Sequence, residues 1–406
     1  MDAVSLSQVS QAGEVDLAAA VKFIRTGGFL IVDGHFRCRP AHISVPINIV
    51  GTGIIEQADP TQPVLTFSSN LKMEGITLQG HADRPANQQA WRLLKAEGDE
   101  DTVCVLENCR VLQAPAHALD FQNVGQVFLR RVTWRETYGL STLFTGCGSV
   151  RLESPRFFKI GFPGGNAVGA AGAGALAEEC GSVVIDDALV EDCSDSPIYL
   201  IARTVEVRNS RIFRCAKSNK AQSFGPSPDF AVERVLIENN IIEYAGLNCL
   251  SAHSPGGPVK DVAFRGNRLI APRAKPIHLH PDFPPNDHST ADVAGIYADN
   301  IERFTAEDNF IDLTDADYPA KDVYGIWARG PFQQCRIAGN RIQGAGTRAI
   351  LVKGNQAYTA IEGNRVAGTI ETLGNADPVF VHRNSADAII HQDTNPNHIY
   401  YARDNA

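Results

Sequence analysis

One short phrase recurs along the chain: an apolar alternation, a polar pair, often Asn, then another apolar residue two places on. It reads VEVRNSRI, VLIENNII, VAFRGNRL, FTAEDNFI, CRIAGNRI and TAIEGNRV, with weaker copies at VFLRRVTW (127–134), VRLESPRF (150–157) and VVIDDALV (183–190). VCVLEN (103–108) and VFVHRN (379–384) extend the series. The position that is most often Asn falls at 108, 132, 155, 188, 210, 240, 267, 309, 340, 364 and 384, at intervals from 20 residues (364 to 384) to 42 (267 to 309). Such spacing is too long for a hairpin meander and too irregular for leucine-rich repeats. Period-two alternation predicts a strand with one buried face, and the polar pair with Asn predicts a tight bend. Coils stacked about 4.8 Å apart would align the Asn side chains in an internal ladder. The ladder would satisfy amides that are otherwise costly to bury.

The repeat resembles that of the right-handed parallel β-helix superfamily, the pectate-lyase-like fold, over about residues 30–390. DLAAAVKFIRTGGFLIVDGHFRC (16–38) is similar to the N-terminal end of such proteins, where an amphipathic helix caps the coil and a GG turn leads into it; Asp33-Gly34 replaces the usual Pro-Gly. The resemblance implies an all-β chain, a single-stranded right-handed parallel β-helix over 30–390. It would follow an N-terminal segment 1–29, with a capping helix at 16–26 that gathers Leu17, Ala20, Val21 and Ile24 on one face, and precede a tail at 391–406. It fixes no activity, because this scaffold hosts lyases, hydrolases, epimerases, tailspikes and adhesins.

Between repeat phrases a second short strand is expected: HALDFQ (117–122), GLSTLF (139–144), SPIYLIAR (196–203), NCLSAHS (248–254), PIHLHPD (276–282), AGIYADN (294–300), YGIWARG (324–330) and RAILVKG (348–354). Aligning Leu119, Leu140, Ile198, Leu250, Ile277, Ile296, Ile326 and Ile350 as inward positions leaves an outward column of Asp120, Ser141, Tyr199, Ser251, His278, Tyr297, Trp327 and Leu351. The next outward column is Gln122, Leu143, Ile201, His253, His280, Asp299, Arg329 and Lys353. Aromatic rings beside titratable groups suit an extended sugar chain, with stacking on apolar sugar faces and polar groups on hydroxyls and carboxylates. The plainer reading is that an exposed parallel sheet favours aromatic and polar residues.

His278 and His280 lie in PIHLHPDFPPNDHS (276–289). They read as acid–base residues, as a zinc-type pair completed by Asp282, Asp287 or His288, or as solvated side chains. The catalytic candidates are His278, His280, His253, Tyr297, Asp299 and Arg329; the substrate-binding candidates are Tyr199, Trp327, Asp120, Lys353, Arg203, Lys217 and Lys220. In lyases of the superfamily a base removes the proton α to a uronate carboxylate while Arg, Lys or calcium neutralises that carboxylate. By that resemblance His253, His278, His280 or Tyr297 would be the base, and Arg203, Lys217, Lys220, Arg273, Lys275 or Arg329 the neutralising group. A uronan C5-epimerase would use similar parts.

The Asn-Thr-Asp, Gly-His-Gly and Arg-Ile-Lys motifs of the pectin hydrolases do not occur in the sequence. Asp186-Asp187 falls at a bend and reads as structural. A glycosidase or fructan transferase would need another carboxylate pair at about 5–9.5 Å, such as Asp120 with a loop acid or Asp299 with Asp282. The third alternative is a non-catalytic glycan-binding spike or trimeric rod.

A formal charge of −9 without a Lys/Arg block argues against nucleic-acid binding. No run of about 18 apolar residues exists, which argues against a membrane span. The first twenty residues lack a basic start and an apolar signal core, so the expectation is a cytoplasmic chain, or a secreted or periplasmic one if a signal peptide has been removed. Nine cysteines without a CxxC pair read mostly as small buried apolar residues. No cofactor is expected to be required, with a divalent metal such as calcium as the option. The expected partner is a polysaccharide or oligosaccharide, bound by a monomer or a homotrimer. Charged 82–101, low-complexity 161–175, 215–231 and 270–292 are expected to be loops.

Overall fold

The computed structural model describes residues 2–9, 14–81, 92–114, 117–137, 139–160, 168–170, 180–193, 196–215, 219–222, 232–246, 248–253, 259–272, 293–316, 322–344, 348–354, 358–375 and 379–392. They form two compact units, Met1–Asp195 and Ser196–Ala406. Within each, a coil passes through three sheets in turn. In the C-terminal unit, one coil runs along the first sheet (Val259–Arg265), bends into a short strand of the second (Arg268–Ile270) and crosses the third (Val293–Asp299). It then rejoins the first sheet at Ile301–Glu307. Pairing with the next coil is parallel in all three, for example Val262↔Phe304, Leu269↔Ile311 and Ile296↔Ile326. The chain is a right-handed parallel β-helix, the hand that a twisted parallel crossover takes almost without exception.

Alternation builds the interior. Val262, Phe264, Phe304, Ala306, Cys335 and Ile337 point inward from the first sheet and are buried. All nine cysteines are free and buried, and burial pushes the Cys38 and Cys104 thiols up to about 12.

The ladder occupies the bend between the first and second sheets of the C-terminal unit. Asn267 Oδ1 accepts both the backbone N–H and the side-chain amide of Asn240, at 3.0 Å each. Its own amide donates to Asn309 Oδ1 (3.0 Å) and to the Ile237 carbonyl (2.9 Å). The pattern continues through Asn340, Asn364 and Asn384, each buried. The residue before each rung is left-handed: Asn239, Gly266, Asp308, Gly339, Gly363 and Arg383 all have φ between 54° and 65°.

Left-handed residues at the same bend in the N-terminal unit include Asn108, Arg131, Ser154 and Asp187, and the buried places after them belong to Cys109, Val132, Pro155 and Ala188. Asn108 is therefore a bend residue, one place before the rung expected of it. Asn suits both places, by its tolerance of positive φ and by its amide, so composition cannot separate them. Asp187 accepts from Ser154 Oγ (2.6 Å) and Arg156 Nη2 (3.0 Å), in line with a structural role.

The third sheet breaks strict alternation. Consecutive residues point inward at Leu93–Leu94, Ala118–Leu119 and Ser141–Thr142, and again at Cys249–Leu250, Gly295–Ile296, Gly325–Ile326 and Ala349–Ile350; all are buried. Registers skip the first member: Asn248↔Ala294 is followed by Leu250↔Ile296, and Ala294↔Tyr324 by Ile296↔Ile326. A stacked β-bulge of this kind reverses the side-chain phase along each strand.

Three expectations are corrected by it. Ser141 is buried, bonded to Thr137 Oγ1 at 2.5 Å, instead of facing outward. Leu140 lies opposite His117, and Thr142, not Leu140, pairs with Leu119. Leu143 joins the column of Asp120. At Gly325 a Cβ would stand 2.6 Å from both Ala349 O and Ile342 Cγ2. Gly325→Val is expected to cost roughly 2 kcal/mol or more through overpacking; an unchanged melting temperature would refute that close contact.

The segments expected as loops contain strands. Arg92–Glu97 is a third-sheet strand because Leu93, Leu94 and Ala96 give the charged 82–101 stretch an apolar face. Asn219–Gln222 is another, within 215–231. At the N-terminus, Ala3–Ser5 pairs with Phe29–Val32 and Val15–Asp16 with His35–Arg39, so strand pairing begins before residue 30. The helix spans Leu17–Val21, shorter than expected; Asp16 Oδ1 caps it from Ala19 N at 2.9 Å, and Leu17, Ala20, Val21 and Ile24 are buried. Among the described residues no helix is long and apolar enough to cross a membrane.

Candidate functional site

The bulge leaves three outward columns on the third sheet of the C-terminal unit. The first runs Asn248, Ala294, Tyr324, Arg348; the second Ser251, Tyr297, Trp327, Leu351, Glu371; the third His253, Asp299, Arg329, Lys353. Stacking on successive coils thus brings together residues some 20–46 apart in sequence, such as Leu351 with Glu371 and Asn248 with Ala294.

The centre is aromatic. Tyr297 lies 5.0 Å from Trp327, centroid to centroid, tilted by 58°. Tyr324 stacks on the indole at 5.0 Å and 28°. Buried Ala294 and Leu351 pack beside these rings. The His253 ring is 6.3 Å from that of Tyr297. The indole N–H of Trp327 is buried without a hydrogen-bond partner among the described residues.

Polar groups flank the rings. Tyr297 Oη donates to Asp299 Oδ2 at 3.0 Å, and Arg329 Nε stands 4.0 Å from Asp299 Oδ1. Burial, then the Asp299 charge, pushes the Tyr297 phenol up to about 12. The phenol therefore keeps its proton at neutral pH and donates it in a hydrogen bond to Asp299. Arg329 and Lys353 are exposed at the rim.

On the other side, Arg348 Nη1 donates to Asp322 Oδ2 (2.8 Å) and Tyr324 Oη (3.3 Å), and Nε pairs with the buried carboxylate of Glu371 at 2.6 Å. Two carboxylates hold the Arg348 charge, whereas exposed Arg329 faces Asp299 at 4.0 Å and the Tyr297 phenol. Tyr324, Arg348, Asp322 and Glu371 were not anticipated from sequence. The signal for Tyr324 and Arg348 was the small residue before each inward Ile, at Gly325 and Ala349, which marks the bulge that turns them outward.

The remaining candidates are dispersed. Half-buried Tyr199 pairs in register with Lys220, which pairs with Ser251. Arg203 is exposed but lies in Ala202–Arg208 of the first sheet, not on the third-sheet face expected; the third-sheet strand ends at Leu200. Asp120 belongs to the N-terminal unit and is buried, paired with Arg92 and accepting from Gln122 Nε2 at 3.0 Å. It is not a surface ligand for substrate: the Arg92 guanidinium from the preceding coil closes over it. Ser251 pairs directly with Tyr297, so the column has no rung between them where His278 was expected. His278, His280, Lys217, Arg273, Lys275, Asp282, Asp287 and His288 lie outside the described residues. Among the described residues no group of three or more His, Cys, Asp or Glu side chains is placed to hold a metal ion.

No family model and no curated protein sequence matches the chain. Among solved structures it is similar to a family 28 exopolygalacturonase of Yersinia enterocolitica (TM-score 0.47, 11% identity, covering 99% of this chain and 77% of that one). It is also similar to the A-module of a mannuronan C-5 epimerase from Azotobacter vinelandii (TM-score 0.41, 9% identity, 99% of each chain). A third is a surface adhesin of Streptococcus pneumoniae (TM-score 0.44, 11% identity, 99% of this chain and 92% of that one).

Proposed function

We propose that the third-sheet face of the C-terminal unit binds a uronate-containing polysaccharide and acts on it by β-elimination or C5 epimerisation. The observation that carries this reading is the conjunction of an aromatic wall, Tyr324–Trp327–Tyr297, with the Tyr297–Asp299–Arg329 cluster on its edge. A sugar ring packs on the exposed edge of the wall. Arg329, supported by Lys353, pairs with the uronate carboxylate and so acidifies the C5 proton beside it. His253 takes that proton, with His278 and His280 as the other candidate bases. Protonated Tyr297 then supplies a proton, to the departing O4 in elimination or to the opposite face of C5 in epimerisation, while Asp299 orients the phenol.

The test is a panel of uronans followed in parallel by the ultraviolet absorbance of an unsaturated uronate, by reducing ends and by the ratio of C5 epimers. Product in the first or third assay is the expected result. Reducing ends alone would replace it with a hydrolase; silence in all three with retained binding would leave a glycan-binding protein. Trp327→Ala is expected to raise the apparent KM by about tenfold while kcat changes little, the signature of lost stacking. An unchanged KM would remove Trp327 from the binding surface.

A further inference from the structure

The second sheet of the C-terminal unit carries an arginine stripe that the reading above leaves unused. Its outward column runs Arg211, Ile241, Arg268, Phe310, Arg341, Arg365, each in direct register with the next. All four arginines are exposed, and among the described residues none forms a hydrogen bond through its side chain or an ion pair. Three first-sheet arginines of the same unit are paired: Arg265 with Glu307, Arg303 with Asp261, and Arg336 with Glu307 and Glu362. In a chain of formal charge −9, four guanidinium groups stand in one line without a direct ion pair among the described residues, and only Arg268 is reached by a neighbouring charge, that of Asp312.

The stripe is also held in shape. Arg268 and Arg341 lie over the Phe310 ring from neighbouring coils, at 5.2 and 5.7 Å, and Arg211 lies over Phe213 at 4.9 Å. Stacking of this kind fixes the plane of a guanidinium and leaves its donors directed to solvent. The carboxylates on this face, Glu243 and Asp312, stand one column away, and Asp312 is engaged by the Thr314 amide (3.0 Å) and Gln343 Nε2 (2.9 Å).

We propose that this stripe is a second binding site, for a linear anionic polysaccharide carrying carboxylate or sulfate groups. Its length from Arg211 to Arg365, five coil steps, is about 24 Å at the usual strand spacing. The planar fork of arginine matches carboxylate and sulfate oxygens in pairs. Ile241 stands between Arg211 and Arg268 and offers an apolar step to a sugar face. A nucleic acid fits less well, since Phe310 is already sandwiched and no other ring of the column is open to a base. The inference is independent of the reaction assigned to the third sheet.

Binding of polygalacturonate and of dextran sulfate is compared with that of neutral dextran in the Trp327→Ala background, which weakens the third-sheet face. Arg268→Glu/Arg341→Glu is expected to weaken binding of both polyanions by about tenfold or more, each lost charge-assisted contact being worth up to a factor of ten. Added salt should weaken the parent's binding and narrow the difference. Melting temperature and third-sheet activity, measured in the wild-type background, should be unchanged by the pair; if the charge reversal impairs folding, Arg268→Gln/Arg341→Gln is used in its place. Equal affinity of parent and variant overturns the proposal. So does equal retention on neutral dextran, or tighter binding of a single-stranded oligonucleotide than of polygalacturonate.

Discussion

Asn340→Leu is expected to lower the unfolding free energy by roughly 4 kcal/mol. Asn340 Oδ1 accepts from Asn309 N (3.0 Å) and Asn309 Nδ2 (2.9 Å), and its amide donates to Ala306 O and Asn364 Oδ1, both at 2.9 Å. Leucine matches its bulk closely but removes all four bonds inside a dry interior. The Asn309 backbone N–H is left with no acceptor there, and burying an unsatisfied amide costs about 1–3 kcal/mol. The neighbouring coils lose their tie at the same point. Thermal or denaturant unfolding checks this; a midpoint within error of the parent would mean that the ladder contributes geometry but little stability.

Arg329→Ala is expected to lower kcat/KM on a uronan by about 100-fold, as removal of a charge-assisted contact to a substrate carboxylate does when the contact strengthens in the transition state. Arg329→Lys should recover part of the loss, because a point charge persists where the fork does not. Stability should move little, since the side chain is exposed and its contact with Asp299 is 4.0 Å long. The comparison with Arg348→Ala is informative. That residue neutralises the buried Glu371, so its loss strands a carboxylate in the wall and should lower the melting temperature. A variant at 329 that turns over a uronan at the parental rate would take the carboxylate-binding role away from it.

Much of the fold was legible because the coil repeats one simple rule. Alternation with a polar bend gave the first-sheet strands, and the Asn positions from 240 to 384 form the ladder they predicted. Tyr297, Trp327 and Leu351, like Asp299, Arg329 and Lys353, fall in register because their strands share a phase and each hydrophobic Ile sits one place before. Failures came where two residues in a row point inward. A period-two reading puts Ser141 outward and Leu140 inward and does not reach Tyr324 and Arg348, because strict alternation cannot see a bulge. Asp120 falls in the expected column, but Arg92 from another coil pairs with it and it is buried. Pairing between coils depends on loop lengths that local pattern does not encode, which is also why PIHLHPD was given a rung between Ser251 and Tyr297.

The doublets Gly295–Ile296 and Gly325–Ile326 shift the strand sideways by one residue just before the aromatic positions. The Tyr324 ring is thereby set over the indole from the flank, and Trp327 is braced by rings on two coils. A wall gripped in this way has its rotamers chosen while the chain folds, so the sugar proposed to bind there would meet preset rings and little ordering entropy would be charged to the encounter.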